Sequence, residues 1–568
     1  MSEIKIDTIV DPRGKQEKVI LTLAPRPKFE ELKEGPILFY NNTKLEFCNY
    51  TEIFPTIKKH MRDRGITNFV DVRETVRGKT TEDLRRIAIE LAKKKFKGAV
   101  VALADMGTTP ATVILTIELE KAGIPSVLIT APPGAQLAEA VVFYRAGRLC
   151  LCPVDIYQAS SKDEVVAEVK KQMDYILNSL TVPIKELIKS HTIKLKMDSV
   201  PPSNELSVAE SISVEYNNIE PGLLMEETMD IFESLYIGDG LPVIPPTKTR
   251  VLEMMTYCPF DPEEVLISEV GPSGKDIIVK DIVVNAVMAG CKPEYIPILI
   301  TTFRALSNPK YNFLQSVTTS HPGGNLVLVS GPIAQEVNIN GRQGCLGPGF
   351  RANATIGRAV NLVILNVTRS VPGIADLDCL ASPSEYTYCF AEDPTLSLWS
   401  LINEERFDEK TTTVFVLKAA PLYDVIDFLS QSAKDLLDTF IDSSTSLGSN
   451  NAYIPGNLIL VLTPDHAKIL KQEGWNKPKI RQYLYEKIRN EKSKVVGRGI
   501  VPVRPPGFDE LDSIPVTRSP EDIEIVVAGG RGGHSAVITP WALRSEAIIE
   551  PICLPNEDIA KSIKDFRL

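Results

Sequence analysis

Between residues 35 and 153, apolar stretches of strand length alternate with helical stretches five times, and this alternation is the strongest constraint on the fold. "GPILFYNN", "NFVDVRE", "GAVVALA", "IPSVLIT" and "LCLCPVD" read as strands; "EIFPTIKKHMRDRG", "TTEDLRRIAIELAKKKFKG", "PATVILTIELEKAG" and "PGAQLAEAVVFYRAG" read as the helices between them. Strands this apolar, each followed by a helix, predict an α/β domain: a parallel sheet covered on both faces, of flavodoxin or Rossmann type. Right-handed crossovers then send ligands to the carboxyl ends of the strands, where the strand order reverses. The third strand, "GAVVALA", runs into the polar turn Asp105-Met106-Gly107-Thr108-Thr109, which is therefore the first place to look for a site.

A helix, "SSKDEVVAEVKKQMDYILNSL", closes this domain, predicted over residues 1–194. The stretch 195–222 is rich in Pro and Ser with little periodicity and reads as a linker. Residues 223–568 read as a larger α/β domain containing a Gly-rich loop. Its strands include "GNLVLVSGP", "TTTVFVLKAA", "GNLILVLTP" and "DIEIVVAGG". "VLVSGP" and "VLTPDHAKIL" each put a polar turn at a strand end, which suggests two similar half-lobes.

Charge and composition narrow the function. The net charge of -10, without clustered unopposed Lys and Arg, argues against nucleic acid or an anionic membrane as partner. The amino-terminal segment lacks the apolar core of a signal peptide, and "IVVNAVMAGCKPEYIPILITTF" is interrupted by Lys292, Pro293 and Glu294, so a cytoplasmic protein is expected. Nine Cys without a C-x-x-C pair suit reduced thiols. No cofactor is evident and no metal-ligand spacing is recognised.

Residues 318–365 are the richest in candidate chemistry. Glycines between Gly341 and Gly349, including Gly347 and Gly349, lead into a predicted helix whose first turns carry Arg351 and Asn353. A glycine loop entering a helix presents backbone N–H groups suited to a carboxylate or phosphate, with Arg351 adding charge. His321 lies in a turn before a strand that begins near Asn325, as a general acid or base would. His534 and Arg531, in "VVAGGRGGHSAV", form a second glycine-rich corner. Cys345 is the thiol expected to be reactive, because a helix amino terminus lowers thiol pKa. The bland alternatives are glycine turns, hydrogen-bonded structural histidines, and Thr109 serving only to cap the helix ahead of Pro110.

Several of these motifs resemble the UGSC-type selenoprotein family. "DPRGKQEKVILTLAPRP" matches its amino-terminal segment, and "ADMGTTPATVILTIELEKAGIP" matches its third strand, turn and helix at Asp105, Gly107 and the helix end. "DGLPVIPPT", "HPGGNLVLVSGP" and "GPGFRANATIGRA" are similar to uncharacterised proteins commonly associated with that family. The turn is also distantly similar to that of component B of glycine reductase. The resemblance implies thiol or selenol redox chemistry, or cleavage of a bond next to a carboxylate. Met106 stands where selenocysteine or cysteine would be, however, and Thr109 where the second cysteine would be, so a dithiol mechanism is unavailable in this turn.

The resulting expectation is a cytosolic, homo-oligomeric enzyme acting on a small anionic substrate at an interdomain site by acid–base chemistry of lyase, hydratase or transferase type. His321, Asp105 and His534 would take part in catalysis. Met106, Gly107, Thr108, Thr109, Asn325, Gly347, Gly349, Arg351, Asn353 and Arg531 would bind. The alternatives are a thiol-dependent oxidoreductase using Cys345 and a non-catalytic binding or regulatory subunit.

Overall fold

The computed structural model describes residues 4–14, 20–46, 48–132, 134–190, 211–217, 222–499 and 510–568. The five predicted strands form one sheet, all parallel: Ile37–Asn41, Phe69–Arg73, Gly98–Ala104, Ser126–Thr130 and Leu151–Pro153. Across the sheet they run in the order second, first, third, fourth, fifth. This is the flavodoxin-type arrangement, with its switch point between the first and third strands. The turn after Ala104 is at that switch point.

The helix following the turn, Thr109–Lys121, is buried at every position from Thr109 to Glu120. An apolar sequence with no polar face, "TPATVILTIEL", belongs to a helix enclosed on all sides. Its neighbours are the helices Thr81–Ala92 and Gly134–Arg145, and from the second region the short helix Phe313–Ser316. One acid at its end is fully committed. Glu120 receives Arg26 at 2.8 Å, with both side chains fully buried, and also accepts the backbone N–H groups of Ala24 and Ser126, each at 2.7 Å. This pair ties "LAPRP" to the end of the "ELEKAGIP" helix.

The first strand of the chain departs from the predicted domain boundaries. Ile4–Val10 pairs antiparallel with Ser211–Asn217, inside the stretch read as linker, and Ile9 and Val214 are buried in the core of the second region. The amino terminus therefore packs with residues 223–568, because Ile9 finds its cover there, whereas Ile6 stays exposed. Residues 195–210 and 218–221 of the predicted linker lie outside the described residues.

The second region is built on two four-stranded sheets. One orders Cys389–Ala391, Gly324–Ser330, Thr413–Ala419 and Ile548–Pro551; the other orders Tyr423–Ile426, His534–Ile538, Leu458–Leu462 and Ile523–Val527. Strand periodicity assigns their faces. Leu326, Leu328, Phe415 and Leu417 of the first sheet share one apolar cluster with Ile459, Val461, Val526 and Ile538 of the second. The intervening Val327, Val329, Val414 and Val416 pack instead with helices Val279–Ala289, Ile296–Ser307 and Arg351–Val363. On the far side, Leu460 and Ile525 pack with helices Ala433–Ser444, Pro464–Gln472 and Lys477–Lys487. The order of layers is thus helix, sheet, sheet, helix. "VLVSGP" and "VLTPDHAKIL" fall one in each sheet, as two half-lobes require. Among the described residues no helix is long and apolar enough to cross a membrane.

Glu120→Ala would strand the Arg26 guanidinium in the core, and loss of one partner of a buried pair costs about 3–5 kcal/mol. Urea unfolding is expected to show an unfolding free energy lowered by that amount and hence a lower midpoint, with the Arg26→Met, Glu120→Leu double variant recovering part of it, because the Ala24 and Ser126 N–H groups still lose their acceptor. An unchanged midpoint for Glu120→Ala would contradict the role given to this pair.

Candidate functional site

The turn at the switch point is closed and polar. Asp105 is 2 % exposed, and its Oδ1 lies 3.2 Å from Nζ of Lys44, which is buried beside the end of the first strand. The backbone N–H of Gly134 donates to the Asp105 carbonyl at 2.9 Å, and a Cβ at Gly134 would meet the Asp105 backbone at 2.5 Å, so only glycine permits this approach. Thr109 begins the helix without capping it. The Oγ1 atoms of Thr108 and Thr109 are both buried without a hydrogen-bond partner. Met106 is half-buried, with its thioether 3.8 Å from the Gln158 amide. At Gly107 a Cβ would lie 3.7 Å from the Thr319 Cα, so the turn abuts the segment that precedes His321.

The other side of that segment lines a cavity of about 310 Å³. Its walls come from separate elements: Ser316 to Thr319, Asn325 on one central strand, Lys418 on the next, Asn361 on the covering helix, and the loop from Ser370 to Tyr386. Strand register explains the pairing of Asn325 with Lys418, which are directly opposed across the antiparallel ladder. Both continue the alternation of Val327, Val329, Val414 and Val416, so both point to the helix side of the sheet, where an apolar residue would ordinarily sit. Asn325 is fixed at both ends. It accepts from the Tyr311 hydroxyl at 2.7 Å and donates to Oδ1 of Asn361 at 3.1 Å. Near the cavity the covering helix widens into a π turn over Ile364–Thr368, a distortion frequent at functional sites.

Lys418 is the unusual residue. Three lysines are less than a tenth exposed among the described residues: Lys44, Lys418 and Lys477. Lys44 pairs with Asp105 at 3.2 Å, and Lys477 with Glu405 at 3.0 Å and the Ser400 carbonyl at 2.6 Å. Lys418 has no carboxylate within ion-pair distance among the described residues, and its surroundings are the cavity and the more distant Glu385, Asp376 and Asp378. Burial lowers its pKa, partly offset by those carboxyls. The same burial raises Asp376 to about 7, and raises Glu385 further through a side-chain hydrogen bond with Asp378. Asp378 is anchored from the other side, accepting the backbone N–H groups of Leu380 and Ala381. The site therefore sets an amine that leans toward its neutral form against carboxyls that lean toward their protonated form. This is the combination that exchanges protons near neutral pH.

The residues expected from sequence distribute unevenly around this cavity. Asn325 lines it. His321 stands beside it, its Nδ1 without a partner, and burial together with the Lys418 charge pushes the ring down to about 4. The imidazole is thus neutral at physiological pH. Of Asp105, Met106, Gly107, Thr108 and Thr109, Gly107 abuts Thr318 and Thr319, and none of the five lines the cavity. The others lie elsewhere. Arg351 donates to the Gly290 carbonyl at 2.8 Å and lines a separate cavity of about 260 Å³ with Arg250 and Lys292. Asn353 is spent on structure: it bridges Asn340 and the Cys345 carbonyl and pins the glycine loop to its helix. Gly347 and Gly349 are exposed on that loop, and Gly349 has a φ of 112°, a conformation that favours glycine.

The two glycine-rich segments approach each other, which supplies the reason for their glycines. Gly529 donates its N–H to the Gly341 carbonyl at 2.9 Å, and a Cβ at Gly341 would lie 2.4 Å from the Ala391 carbonyl oxygen. Arg531 pairs with Asp465 at 3.1 Å, and His534 pairs with Asp424 at 3.0 Å and packs edge-on against Phe428. Neither residue lines the cavity. Cys345 reverses its expectation. It sits in the apolar cluster between the two sheets, and burial pushes its thiol up to about 11, outweighing the backbone N–H groups nearby. Among the described residues no group of three His, Cys, Asp or Glu side chains has metal-holding geometry. Sequence reasoning missed Lys418, Glu385, Asp376 and Asp378. A lysine at a core-facing position of the buried strand "TTTVFVLKAA" was the available signal. Comparison with protein-family models, curated proteins and solved structures finds no match.

Raising a thiol from 9 to about 11 lowers its thiolate fraction about 100-fold. In native protein treated with iodoacetamide at pH 8, Cys345 is therefore expected to label at least about 100-fold more slowly than the exposed Cys379, as read by peptide mass mapping. Comparable labelling of the two would restore Cys345 as a candidate nucleophile.

Proposed function

We propose that the protein is an enzyme that performs acid–base chemistry on a small oxygen-bearing substrate bound in the cavity between Asn325, Lys418, Glu385 and Asp376. The observation that carries this reading is a buried, unpaired lysine facing a cavity together with carboxyls whose pKa burial raises. Holding that arrangement costs stability, since an unpaired ammonium could be replaced by an apolar residue at a position of this kind. Lys418 acts as the base, and the proton-bearing carboxyl of Glu385 acts as the acid. Asn325, held by Tyr311 and Asn361, offers its amide to orient the substrate.

The cavity walls bear on the choice of substrate. Lys418 is the only cationic side chain among the described residues that line the cavity, whereas Asp239, Asp376, Asp378 and Glu385 are acidic. Asp239 is itself neutralised by a two-pronged bond from Arg358, at 2.7 and 2.8 Å. A substrate with one carboxylate, received by the proton-bearing carboxyls and the Asn325 amide, suits these walls. A multiply charged phosphate does not, because Arg351 lies at the other cavity. Proton transfer to and from such a substrate is the chemistry of lyases, hydratases and isomerases.

Purified protein incubated with a complex metabolite extract, followed by mass spectrometry, is expected to deplete one small oxygen-bearing compound. Lys418→Met and Glu385→Gln should each slow that turnover at least about 100-fold, the contribution typical of a positioned acid or base. Arg531→Ala and His534→Ala should leave it within about twofold, because a rim ion pair contributes little. Full turnover by Lys418→Met would overturn the assignment. Binding without turnover by the unaltered protein would favour a binding subunit instead.

A further inference from the structure

We propose that Lys418 forms a covalent imine with its substrate, which makes the substrate a small aldehyde or ketone. This inference rests on the cavity being the active site and adds a nucleophilic role for the amine. Three observations carry it. Lys418 is 6 % exposed and lines a cavity able to hold a molecule of a few carbon atoms. Among the described residues it makes no hydrogen bond or ion pair that would favour the ammonium over the free amine, unlike the comparably buried Lys44 and Lys477. A carboxyl, Glu385, faces the same space, and burial among neighbouring carboxyls raises its pKa so that it carries a proton. Reaction at a carbonyl needs all three features: a free amine, room for the substrate and a proton donor on the far side of the carbonyl.

The step balances without an external oxidant or reductant. Nζ of Lys418 attacks the carbonyl carbon while the carbonyl oxygen takes the Glu385 proton, giving a carbinolamine with a cationic nitrogen. That nitrogen returns one proton to the Glu385 carboxylate. The restored carboxyl then protonates the carbinolamine hydroxyl, which leaves as water as the C=N bond forms. The iminium is an electron sink, so a proton or carbon group on the adjacent carbon can depart. Asn325 is placed across the ladder from Lys418 to hold a polar group of the substrate. His321, uncharged and next to Lys418, adds no second positive charge to oppose the iminium.

Full-length protein treated with glyoxylate, pyruvate or glyceraldehyde in the presence of sodium cyanoborohydride is expected to acquire a reduced adduct at Lys418. Peptide mass mapping should find that position modified at least about tenfold faster than the exposed Lys292, because the cavity holds the carbonyl compound beside the Lys418 amine. Glu385→Gln should slow the adduct while leaving labelling of Lys292 unchanged. Absence of a Lys418 adduct with all three carbonyl compounds between pH 6 and 9 would overturn the imine. In that event, loss of turnover in a Lys418→Met protein with an unaltered circular dichroism spectrum would leave Lys418 as a base, and retained turnover would remove both roles. Lys418→Arg separates the two independently. It keeps a cation but cannot form an imine, so activity close to that of the unaltered protein would also overturn the proposal.

Discussion

The apolar seam between the two four-stranded sheets depends on a strict alternation along each strand, and the position of the site depends on that seam. Leu326, Leu328, Phe415 and Leu417 must face Ile459, Val461 and Val526 for the sheets to pack, so residues 325 and 418 must face the opposite way, toward the helices. A shift of register by one residue would exchange the two faces and bury Lys418 between the sheets, where nothing polar could receive it. The hydrophobic contact thus fixes the direction of the one lysine whose burial is otherwise uncompensated. Asn325, its cross-strand partner, is fixed by the same constraint.

The parallel domain plays a different part. Its switch point is where fold rules place it, and the turn Asp105–Thr109 fills it with buried polar groups held by Lys44 and by the close approach of Gly134. Yet this turn abuts the back of Thr318–Thr319, and the cavity opens on the other face of that segment. The helix that follows, buried all round, works as a hydrophobic axle between the two regions, with Glu120 and Arg26 locking its end. In this architecture the first domain abuts a wall segment of a cavity whose lining is supplied by the second.

Legibility in the sequence differed by the range of the interaction. Five strand–helix repeats suffice for a parallel sheet, because apolar period and helix capping are local. The capping of Thr81–Ala92 by Thr80 with Asp83 is one such local signal. The pairing of the amino-terminal strand was not legible, since Ile4–Val10 finds its partner about two hundred residues away, at Ser211–Asn217. The glycine-rich segments gave a true signal of close backbone approach and a misleading one of ligand binding. What comes close to Gly341 is the Ala391 carbonyl and the Gly529 amide.

The sequence by itself determined the alternation of strands and helices, a parallel sheet of flavodoxin or Rossmann type, and the absence of a thiol from the turn Asp105–Thr109. These follow from periodicity and side-chain chemistry, both of which are carried by neighbouring residues. Only the tertiary structure decided that Asp376, Asp378 and Glu385, on one irregular loop, converge on Lys418. It also decided that Cys345 is buried among apolar side chains, and that Arg351 and His534 stand away from the cavity. Desolvation is the reason in each case: how far burial shifts a lysine, a carboxyl or a thiol depends on what the whole fold packs around it.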